Sequence, residues 1–500
     1  MFKPTKKEFA EFTKQGNLIP VYCEFPGDVE TPLSAFNKLA YDENGVPEKY
    51  AFLLESVEGG EHVGRYSFVG VEPLVVIEKK AGGKTVAISK GSTEEIDGKD
   101  IFERLKNYLS RFSPVAIDGI APFSGGAVGY AGFETIEEIE PSVKCAKGNA
   151  PETPDAVFMI ADTLVAFDRA YHKFQVISHA HLEDGIDPEE AYENAIANIE
   201  KILLRLKKRN GIFPLKPLSL NLKEIEPESN IKSAEFERMV EKAKQYIYDG
   251  DVIQVVLSQR FSTPTKISPI NLHRALRIIN PSPYMFCMHL NDFALVGASP
   301  EVHAKCEERK ITVRPIAGTR KRGMDKEQDD ALADELLADK KECAEHIMLV
   351  DLGRNDVGRI AKSSTVTVPE LMVIERYSHV MHIVSEVTGE LREDLDSDAI
   401  MSATFPAGTV SGAPKIRAMQ IITELEKTRR GPYAGAVAYY SFDGNLDSSI
   451  IIRTVMLKDE VAYVQAGAGI VADSKPDFEY EETKNKARGM MKALAVAEEL

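Results

Sequence analysis

The amino-acid sequence predicts an α/β (α+β) protein with large mixed, mainly antiparallel sheets surrounded by helices. First, 43% of the 500 residues are hydrophobic and 28% are charged, which is typical of a globular protein with a large core. Second, short strand-like runs bounded by Gly and Pro recur along the chain. Third, several longer segments have the apolar spacing of helices, and no internal repeat is present.

The N-terminal half begins with an amphipathic segment and continues mainly with strands. Phe2, Phe9 and Phe12 lie among lysines and predict a helix within residues 1–17. A second helix is expected over Pro188–Lys208. The predicted strands are Leu18–Glu24, Ala51–Ser56, Tyr66–Val71, Leu74–Lys79, Thr85–Ser89, Ala156–Phe167 and Phe174–His179.

A polar segment divides the two halves. Residues 209–232 contain Pro214, Pro217 and Pro227 and have no apolar period, which predicts a linker. We therefore expect an N-terminal domain over residues 1–208 and a second domain over residues 233–500.

The second half alternates helices and strands. Helices are expected over Ala234–Tyr248, over one long segment Lys326–Val350, and from about Phe478 to the end. The predicted strands are Asp251–Phe261, Met285–Leu290, Phe293–Val296, Ile311–Arg314, Val380–Val387, Ala434–Ser441, Ile450–Leu457 and Val461–Ala466.

Charge and cysteine content exclude several classes of partner and location. The net charge of −17 argues against nucleic acid or an anionic membrane surface as the main partner. No run reaches the roughly 18 apolar residues of a membrane helix. The five cysteines are scattered without a C-x-x-C pair, and Met1–Phe12 lacks an apolar core, so we expect a cytoplasmic protein with reduced thiols.

Two Glu-x-x-Glu pairs are the first candidate site. Glu342 and Glu345 lie three residues apart in a predicted helix, and Glu479 and Glu482 repeat this spacing near the terminal helix. Four carboxylates from two helices would suit a hard divalent cation such as Mg²⁺, which is usually held by one or two carboxylates and substrate oxygens. The same spacing is common on solvated helix faces, where neighbouring lysines pair with the glutamates.

Glycine-rich segments are the second candidate site. The segment Phe405–Lys415 combines Gly408, Gly412, Thr409 and Ser411 before a predicted helix, whose free N–H groups favour carboxylate or phosphate. Gly467-Ala468-Gly469 and Pro315–Arg320 are similar strand-associated loops, for which a tight turn is the alternative interpretation.

Arg453 is unusual because it interrupts the apolar run Ile450–Val455. A buried arginine requires a carboxylate or another acceptor, so either a structural salt bridge or an anionic ligand is expected. His382 lies in a predicted strand, where packing in the core is the alternative to catalysis.

Together these segments resemble the chorismate-utilising enzymes, and within them most closely the anthranilate synthase component I group. The similarity covers nearly the whole chain, from the Leu53–Ser56 segment to Lys492. Its densest parts are Ile253–Ser258, Gly297–Glu301, Pro315–Thr319, His346–Asp356, Phe405–Lys415 and Glu482–Ala487.

The resemblance implies the chorismate-utilising fold and a role for each candidate residue. Magnesium would be bound directly by Glu345 and Glu482, with Glu342 and Glu479 acting through water. Glu301 would protonate the leaving hydroxyl and His382 would serve the later elimination. Gln254 and Thr409 are the other implied catalytic residues. The implied substrate-binding residues are Gly318, Thr319, Tyr433, Arg453, Gly467, Ala468 and Gly469.

Two positions separate the activities of this family. Members that use water carry Lys where this chain has Gln254, and members that make aminodeoxychorismate typically carry Lys where it has Ala317. Both residues therefore favour an enzyme that adds ammonia to chorismate and releases anthranilate and pyruvate in tryptophan biosynthesis. The alternatives are aminodeoxychorismate synthase component I and a non-catalytic subunit that binds an aromatic ligand.

The resemblance also implies regulation and a partner. Tryptophan would inhibit by binding the N-terminal domain at Glu55 and Ser56 together with Pro283, Tyr284 and Met285. None of the five cysteines lies in the Gly-rich setting of a glutaminase nucleophile. We therefore expect a separate glutamine amidotransferase subunit, in a heterotetramer, as the source of ammonia.

Overall fold

Strands form where apolar runs are bounded by turn residues, and the computed structural model describes them within residues 2–56, 64–148, 151–182, 186–208, 224–377 and 380–500. The strands are β1 (Leu18–Pro26), β2 (Tyr50–Glu55), β3 (Tyr66–Val71), β4 (Val75–Lys79), β5 (Thr85–Ser89), β6 (Ser92–Glu95), β7 (Gly126–Ala131), β8 (Ala156–Ala161), β9 (Thr163–Asp168), β10 (Lys173–His181), β11 (Glu228–Ser229), β12 (Gln254–Pro264), β13 (Tyr284–Leu290), β14 (Phe293–Ser299), β15 (Val302–Glu307), β16 (Lys310–Val313), β17 (Ile316–Lys321), β18 (Thr367–Arg376), β19 (Val380–Glu390), β20 (Gly412–Ala413), β21 (Ala436–Ser441), β22 (Leu446–Ile450), β23 (Thr454–Lys458) and β24 (Val461–Ile470).

The helices begin at capping residues that the sequence supplies, such as Thr5, Asp100, Asp187 and Ser268, whose side chains accept from first-turn N–H groups. The α-helices are α1 (Lys6–Phe12), α2 (Pro32–Ala40), α3 (Ile101–Leu109), α4 (Ile136–Ile139), α5 (Pro188–Leu206), α6 (Ser233–Tyr248), α7 (Pro269–Ile279), α8 (Lys326–Ala338), α9 (Lys340–Gly358), α10 (Ser397–Thr404), α11 (Lys415–Glu426) and α12 (Pro476–Glu499). Short 3₁₀ turns cover Phe133–Thr135 and Gly408–Val410.

The strands assemble into two sheets, each antiparallel in all the pairings between named strands. The first has the order β1-β10-β9-β3-β2-β13-β14-β23-β24-β12-β11, with β20 also paired to β12. The second has the order β17-β19-β16-β15-β22-β21-β7-β8-β4-β5-β6, with β18 also paired to β19. These sheets with their surrounding helices confirm the predicted α/β (α+β) class.

Each sheet mixes strands from both halves of the chain. In the first sheet β2 pairs with β13, so Glu55 lies opposite Met285. In the second sheet β7 pairs with β21. The predicted boundary at residues 209–232 therefore does not divide one sheet from the other. Residues 209–223 of the predicted linker lie outside the described residues, and residues 228–229 form β11, which pairs with β12.

The core lies in layers on both faces of the first sheet. Along β2, Ala51 and Leu53 pack into a cluster with helices α2, α5, α7 and α12, whereas Phe52 packs into a cluster shared with the second sheet. This alternation is the period of two that strands impose. A third cluster covers the other face of the second sheet with α3, α10 and α11.

Two further features bear on location. The five cysteines are free thiols, four of them buried and Cys343 half-buried. In the described parts of the chain, no helix has both the length and the apolar character needed to cross a membrane.

Candidate functional site

The helix predicted over Lys326–Val350 is divided in two, and the division places one glutamate pair. Asp339 ends α8 and caps α9, accepting hydrogen bonds from the N–H groups of Lys341 and Glu342 at 3.0 and 3.2 Å. Glu342 therefore lies in the first turn of α9 rather than mid-helix, with Glu345 one turn later. Glu479 likewise lies in the first turn of α12. Both pairs thus sit at helix N-termini, where the helix dipole favours negative charge.

The two pairs share one electrostatic neighbour. Burial raises the pKa of Glu342, and the neighbouring Glu345 raises it further. Burial and then the charge of Glu482 raise the pKa of Glu479, although a hydrogen bond from Ser474 opposes this. The charge of Lys341 lowers the pKa of both Glu342 and Glu479, which opposes these increases.

Basic and amide groups contact these carboxylates. Gln254 Nε2 donates to Glu345 Oε1 at 3.0 Å, and Lys486 Nζ lies 2.8 Å from Glu482 Oε1. Arg320 Nη1 lies 3.8 Å from Glu342 Oε1. Within the described residues, no three His, Cys, Asp or Glu side chains are gathered closely enough to hold a metal ion.

The donor set nevertheless fits magnesium chemically. All four groups are carboxylates, the hard oxygen ligands that Mg²⁺ prefers, and Mg²⁺ needs only one or two of them. Within each pair one carboxylate raises the pKa of the other, so a cation placed between them would relieve that repulsion. The assignment of Glu345, Glu482, Glu342 and Glu479 to magnesium stays a prediction.

Glu301 is a buried carboxyl that is hydrogen-bonded to the Phe405–Lys415 loop. Thr409 Oγ1, in the 3₁₀ turn, donates to Glu301 Oε1 at 2.6 Å. Burial raises the pKa of Glu301 to about 8, although the Thr409 hydroxyl and the charges of Arg453 and Lys486 act in the opposite direction. The side chain is therefore largely protonated at neutral pH and can donate a proton.

The same loop approaches α9 closely. A Cβ atom on Gly408 would lie 2.1 Å from Leu352 Cδ2, so only glycine permits this contact. Lys415 is engaged within the protein, because its Nζ donates to Asp356 Oδ2 at 2.7 Å and to the carbonyl of Thr404 at 2.8 Å. The predicted helix follows as α11, which begins at Lys415 with Pro414 at the N-cap position.

The charge of Arg453 lowers the pKa of both Glu301 and His382. Burial lowers the pKa of its guanidinium. Across the described ranges it forms no salt bridge within 4.0 Å, and its hydrogen bond is a long one, Nη1 to Asn280 Oδ1 at 3.4 Å. Among the described residues this arginine thus has no carboxylate partner, which favours the anionic-ligand interpretation over a structural salt bridge.

Gly467, Ala468 and Gly469 lie inside β24, not after a strand as predicted. They pair with β12, with Gly467 opposite Ser258 and Gly469 opposite Val256. β24 pairs with β23 only over Val461–Val464. On the side away from β12, the glycine segment therefore has no described strand beside it.

Close approach explains the two glycines. A Cβ on Gly467 would lie 2.8 Å from Tyr433 Oη, and one on Gly469 would lie 2.5 Å from Gln254 Nε2. Burial raises the pKa of Tyr433 to about 12, so its hydroxyl keeps its proton. Lys486 Nζ donates to the carbonyl of Gly467 at 2.9 Å, which links this strand to α12.

His382 lies on β19 opposite the irregular strand β17. Gly318 has φ +66° at the point where the β17–β19 register shifts, and its carbonyl accepts a hydrogen bond from His382 Nδ1 at 2.9 Å. Because a carbonyl only accepts, Nδ1 carries the proton and Nε2 has a free lone pair. Burial lowers the pKa of His382, which keeps the ring neutral. Thr319 Oγ1 lies 3.1 Å from the same Nδ1.

Contacts connect these groups into one candidate site. A Cβ on Gly318 would lie 3.2 Å from Glu342 Oε2, which places the first glutamate pair beside the histidine. Gln254 touches Glu345 and lies against Gly469, and Lys486 reaches both Glu482 and Gly467.

The predicted tryptophan residues lie elsewhere, around the start of β13. Glu55 is fully buried and is contacted by His273 Nε2 at 2.8 Å, Arg169 Nη2 at 3.1 Å and Arg277 Nε at 3.5 Å. Its carboxylate is therefore already neutralised, and its predicted contact with an ammonium group stays a prediction. Ser56 Oγ is buried without a hydrogen-bond partner within the described structure.

The other members of this set lie beside the Glu55–Met285 strand pair. Tyr284 Oη donates to Asp447 Oδ1 at 3.0 Å, and Pro283 directly precedes β13.

Sequence reasoning missed several residues that support the site. Asn280 Oδ1 accepts the long hydrogen bond from Arg453, and Lys486 on α12 donates to the carbonyl of Gly467 on β24. Glu426 and Arg430 form a buried pair behind the site. The available signal was the adjacent pair Arg429 and Arg430 directly before the apolar segment 432–440, because a charged residue that becomes buried requires a partner.

Comparisons with known proteins agree over the whole length of the chain. The model of the chorismate binding enzyme family matches residues 49–492. The chain is 47% identical over 508 aligned residues to anthranilate synthase component 1 of Acetivibrio thermocellus, with 100% of each covered. It is 46% identical over 510 residues to the protein of that name from Synechocystis sp., with 99% of each covered.

Solved structures show the same fold. Anthranilate synthase component I from Streptococcus pneumoniae superposes with a TM-score of 0.75 at 37% identity, covering 87% of this chain and 95% of that one. The menaquinone-specific isochorismate synthase from Escherichia coli superposes with a TM-score of 0.72 over 98% of both chains. At 18% identity, the second comparison concerns the fold alone.

Proposed function

The chain belongs to the chorismate-binding enzymes, and we propose that it is the large subunit of anthranilate synthase, converting chorismate and ammonia to anthranilate, pyruvate and water. The observation that carries this proposal is the buried Glu301 carboxyl, hydrogen-bonded by Thr409 and placed beside an arginine without a described salt bridge.

The first step requires an acid. Ammonia forms a bond to ring carbon 2, the double bond shifts, and the bond from carbon 4 to its hydroxyl breaks. Glu301 gives its proton to that hydroxyl, which leaves as water. Thr409 donates to Oε1, which leaves Oε2 to carry the proton that is transferred.

The second step requires a base. The carbon-2 proton is removed and the enolpyruvyl group leaves as pyruvate, which makes the ring aromatic. His382 suits this step, because Gly318 holds the Nδ1 proton and leaves the Nε2 lone pair free.

Anion binding is shared among several groups. Arg453 would pair with the enolpyruvyl carboxylate, with the Tyr433 hydroxyl and the backbone of Gly467–Gly469 beside it. Magnesium, bound by Glu345 and Glu482 with Glu342 and Glu479 as outer partners, would neutralise the ring carboxylate and act as a template.

Residue type at two positions favours ammonia as the nucleophile. Gln254 cannot act as a base toward water, and its amide is held by Glu345. Ala317 offers no amine for a covalent intermediate.

A product assay tests the activity. The purified chain is mixed with chorismate, magnesium and excess ammonium near neutral pH, where Glu301 keeps its proton, and anthranilate fluorescence and pyruvate are followed together. The proposal requires equal amounts of both products. Aminodeoxychorismate without pyruvate, isochorismate, or no turnover would overturn it.

Calorimetric titration with magnesium tests the metal ligands independently of turnover. Glu345→Gln should weaken magnesium binding by roughly 10- to 100-fold, since one direct ligand is lost. Glu335→Gln, on exposed α8, serves as the matched control. Unchanged affinity in Glu345→Gln would remove this residue from the metal site.

We also propose feedback inhibition by tryptophan. The buried, unpartnered Ser56 hydroxyl next to Pro283–Met285 would be satisfied by a polar group of the ligand. Ser56→Ala should weaken inhibition and leave turnover without tryptophan unchanged. Equal inhibition of both forms would reject the site.

A glutamine amidotransferase subunit is the proposed source of ammonia, in a cytoplasmic heterotetramer. The word component in the relatives' names suggests such a partner. Sedimentation of the chain with and without that subunit, together with glutamine-dependent turnover, tests the proposal; turnover with ammonium alone must persist.

A further inference from the structure

Arg430 and Glu426 form a buried ion pair behind the candidate site. Their side chains are 1% and 3% exposed. Arg430 Nε donates to Glu426 Oε2 at 2.9 Å and Nη2 donates to Oε1 at 2.6 Å, so the pair is bidentate. Glu426 ends α11, and Arg430 lies in the loop that follows. The remaining donors and acceptors of such a pair must be satisfied inside the protein.

The other guanidinium donors reach two segments of the site. Nη1 donates to the carbonyl of Val410 at 2.8 Å, directly after Thr409 in the 3₁₀ turn. Nη2 donates to the carbonyl of Val256 at 2.7 Å, two residues after Gln254 on β12. One side chain therefore connects the loop that contacts Glu301 with the strand that carries Gln254.

The carboxylate of the pair holds the same strand at a second point. Ser258 donates to Glu426 Oε1 from its backbone N and its Oγ, at 2.8 and 2.9 Å. Val256 and Ser258 are the residues opposite Gly469 and Gly467. The ion pair thus fixes β12 where it pairs with the glycine segment.

The backbone and ring contacts of Arg430 extend to Tyr433. The N–H groups of Arg430 and Gly431 donate to Glu134 Oε1 and Oε2 at 2.7 and 3.0 Å. The guanidinium carbon lies 4.8 Å from the ring centroid of Phe133 and 5.6 Å from that of Tyr433. A cation over an aromatic face restrains that ring.

We propose that Arg430, anchored by Glu426, is a positioning residue that sets the Thr409 turn, strand β12 and Tyr433 relative to one another. The inference rests on the proposed function, because its test measures the rate of anthranilate formation. Its side chain acts through Thr409, Gln254 and Tyr433, and its donors are already used by Glu426, Val410 and Val256.

A role limited to folding makes a different prediction. A buried ion pair that only stabilises the core would change the fraction of folded molecules, but each folded molecule would work normally. A positioning role changes the Thr409–Glu301 hydrogen bond. Because that bond lowers the pKa of Glu301, loosening it moves the loss of activity at alkaline pH to higher pH.

Arg430→Lys tests the inference, because it keeps the charge but cannot make the forked contacts. The control is Arg104→Lys, which alters another partly buried arginine–glutamate pair, Arg104–Glu138, away from the site. Turnover, KM for chorismate and the alkaline pH limit of kcat are measured at constant free ammonia, and the folded fraction is measured by thermal unfolding.

We expect kcat per folded Arg430→Lys molecule to fall by about 10- to 100-fold, as for a small misplacement of reacting groups. We also expect the alkaline pH limit of kcat to move to higher pH. Arg104→Lys should keep the wild-type kcat and the wild-type pH limit. Wild-type kcat and pH limit in folded Arg430→Lys would overturn the inference, as would a loss matched by the unfolded fraction.

If the lysine variant does not fold, the double variant Arg430→Gln with Glu426→Gln replaces it, because no unpaired charge then remains buried. The same outcomes decide the inference. Failure of the proposed function is distinct: the wild-type chain itself would then form no anthranilate.

Discussion

Glu301 and Glu55 are both buried glutamates, but their surroundings differ in charge. Burial raises the pKa of Glu301 to about 8, since its hydrogen bond comes from the neutral hydroxyl of Thr409. Burial also acts on Glu55, yet a hydrogen bond from His273 and the charges of His273, Arg277 and Arg169 lower its pKa overall. The comparison teaches that the partners, not burial alone, decide which glutamate holds a proton.

The largest expected effect comes from removing each carboxyl in turn. Glu301→Gln should lower kcat by about 10²- to 10⁴-fold, because the leaving hydroxyl loses its acid. Glu55→Gln should leave kcat without tryptophan near wild type but lower the free energy of unfolding by about 2–3 kcal/mol, since buried cations lose their partner. Steady-state kinetics and urea unfolding measure the two effects.

Glu307→Gln, an exposed residue beyond Glu301, is the control for the first variant. Equal loss of kcat in Glu301→Gln and Glu55→Gln would remove the distinction between the two regions.

The arginines near each glutamate give the next largest contrast. Arg453→Gln should lower kcat/KM for chorismate by about 10- to 100-fold with little change in unfolding, because its charge is kept for a ligand. Arg169→Gln should instead cost about 1–2 kcal/mol of stability with kcat/KM unchanged, since it loses its bonds to Glu55 and Ser56. A reversal of these two patterns would contradict the assignment of Arg453 to substrate.

Part of this contrast could be predicted from the sequence. The interruption of an apolar run by Arg453 and the glycine spacing were visible as patterns. The absence of a described salt bridge at Arg453 was not visible, because pairing depends on which distant side chains fold against the arginine. The split at Asp339 was missed because α8 and α9 continue one apolar spacing across a capping residue that also occurs in helix interiors.

The sheets themselves were harder to predict. Individual strands such as Tyr66–Val71 were placed correctly, whereas the pairing of β2 with β13 brings together residues more than 200 positions apart, beyond any local pattern. The proline-containing segment 209–232 signalled a break in the chain, and no local pattern reveals that strands from either side share both sheets.

Stability should depend on pH in opposite ways for the two glutamates. A carboxyl whose folded pKa is raised stabilises the fold most below its unfolded pKa, and this contribution is lost as pH rises toward about 8. Between pH 6 and 8 the free energy of unfolding of the wild-type chain should therefore fall by roughly 2 kcal/mol relative to that of Glu301→Gln.

The lowered pKa of Glu55 gives a contribution that is complete above its ordinary pKa and is lost only as pH falls below it. The difference between wild type and Glu55→Gln should thus be constant from pH 6 to 8. Urea unfolding at both pH values decides; parallel behaviour of the two variants would refute the contrast.

The smallest expected effect concerns Thr409. Thr409→Val removes the hydrogen bond that lowers the pKa of Glu301, so the alkaline limit of kcat should rise by roughly half to one pH unit. The rate at constant free ammonia gives this limit, and a shift to lower pH would show that the hydroxyl does not act on Glu301.

The ionisation of Glu301 itself is the most direct test of the account. Infrared difference spectra of the wild-type chain minus Glu301→Gln, recorded from pH 6 to 9.5, isolate the C=O stretch of this one protonated carboxyl. We expect the band to be present at neutral pH and to disappear with a midpoint near pH 8. Absence of the band at pH 6 would contradict this assignment, because a carboxyl with the ordinary pKa of 4.5 is already ionised there.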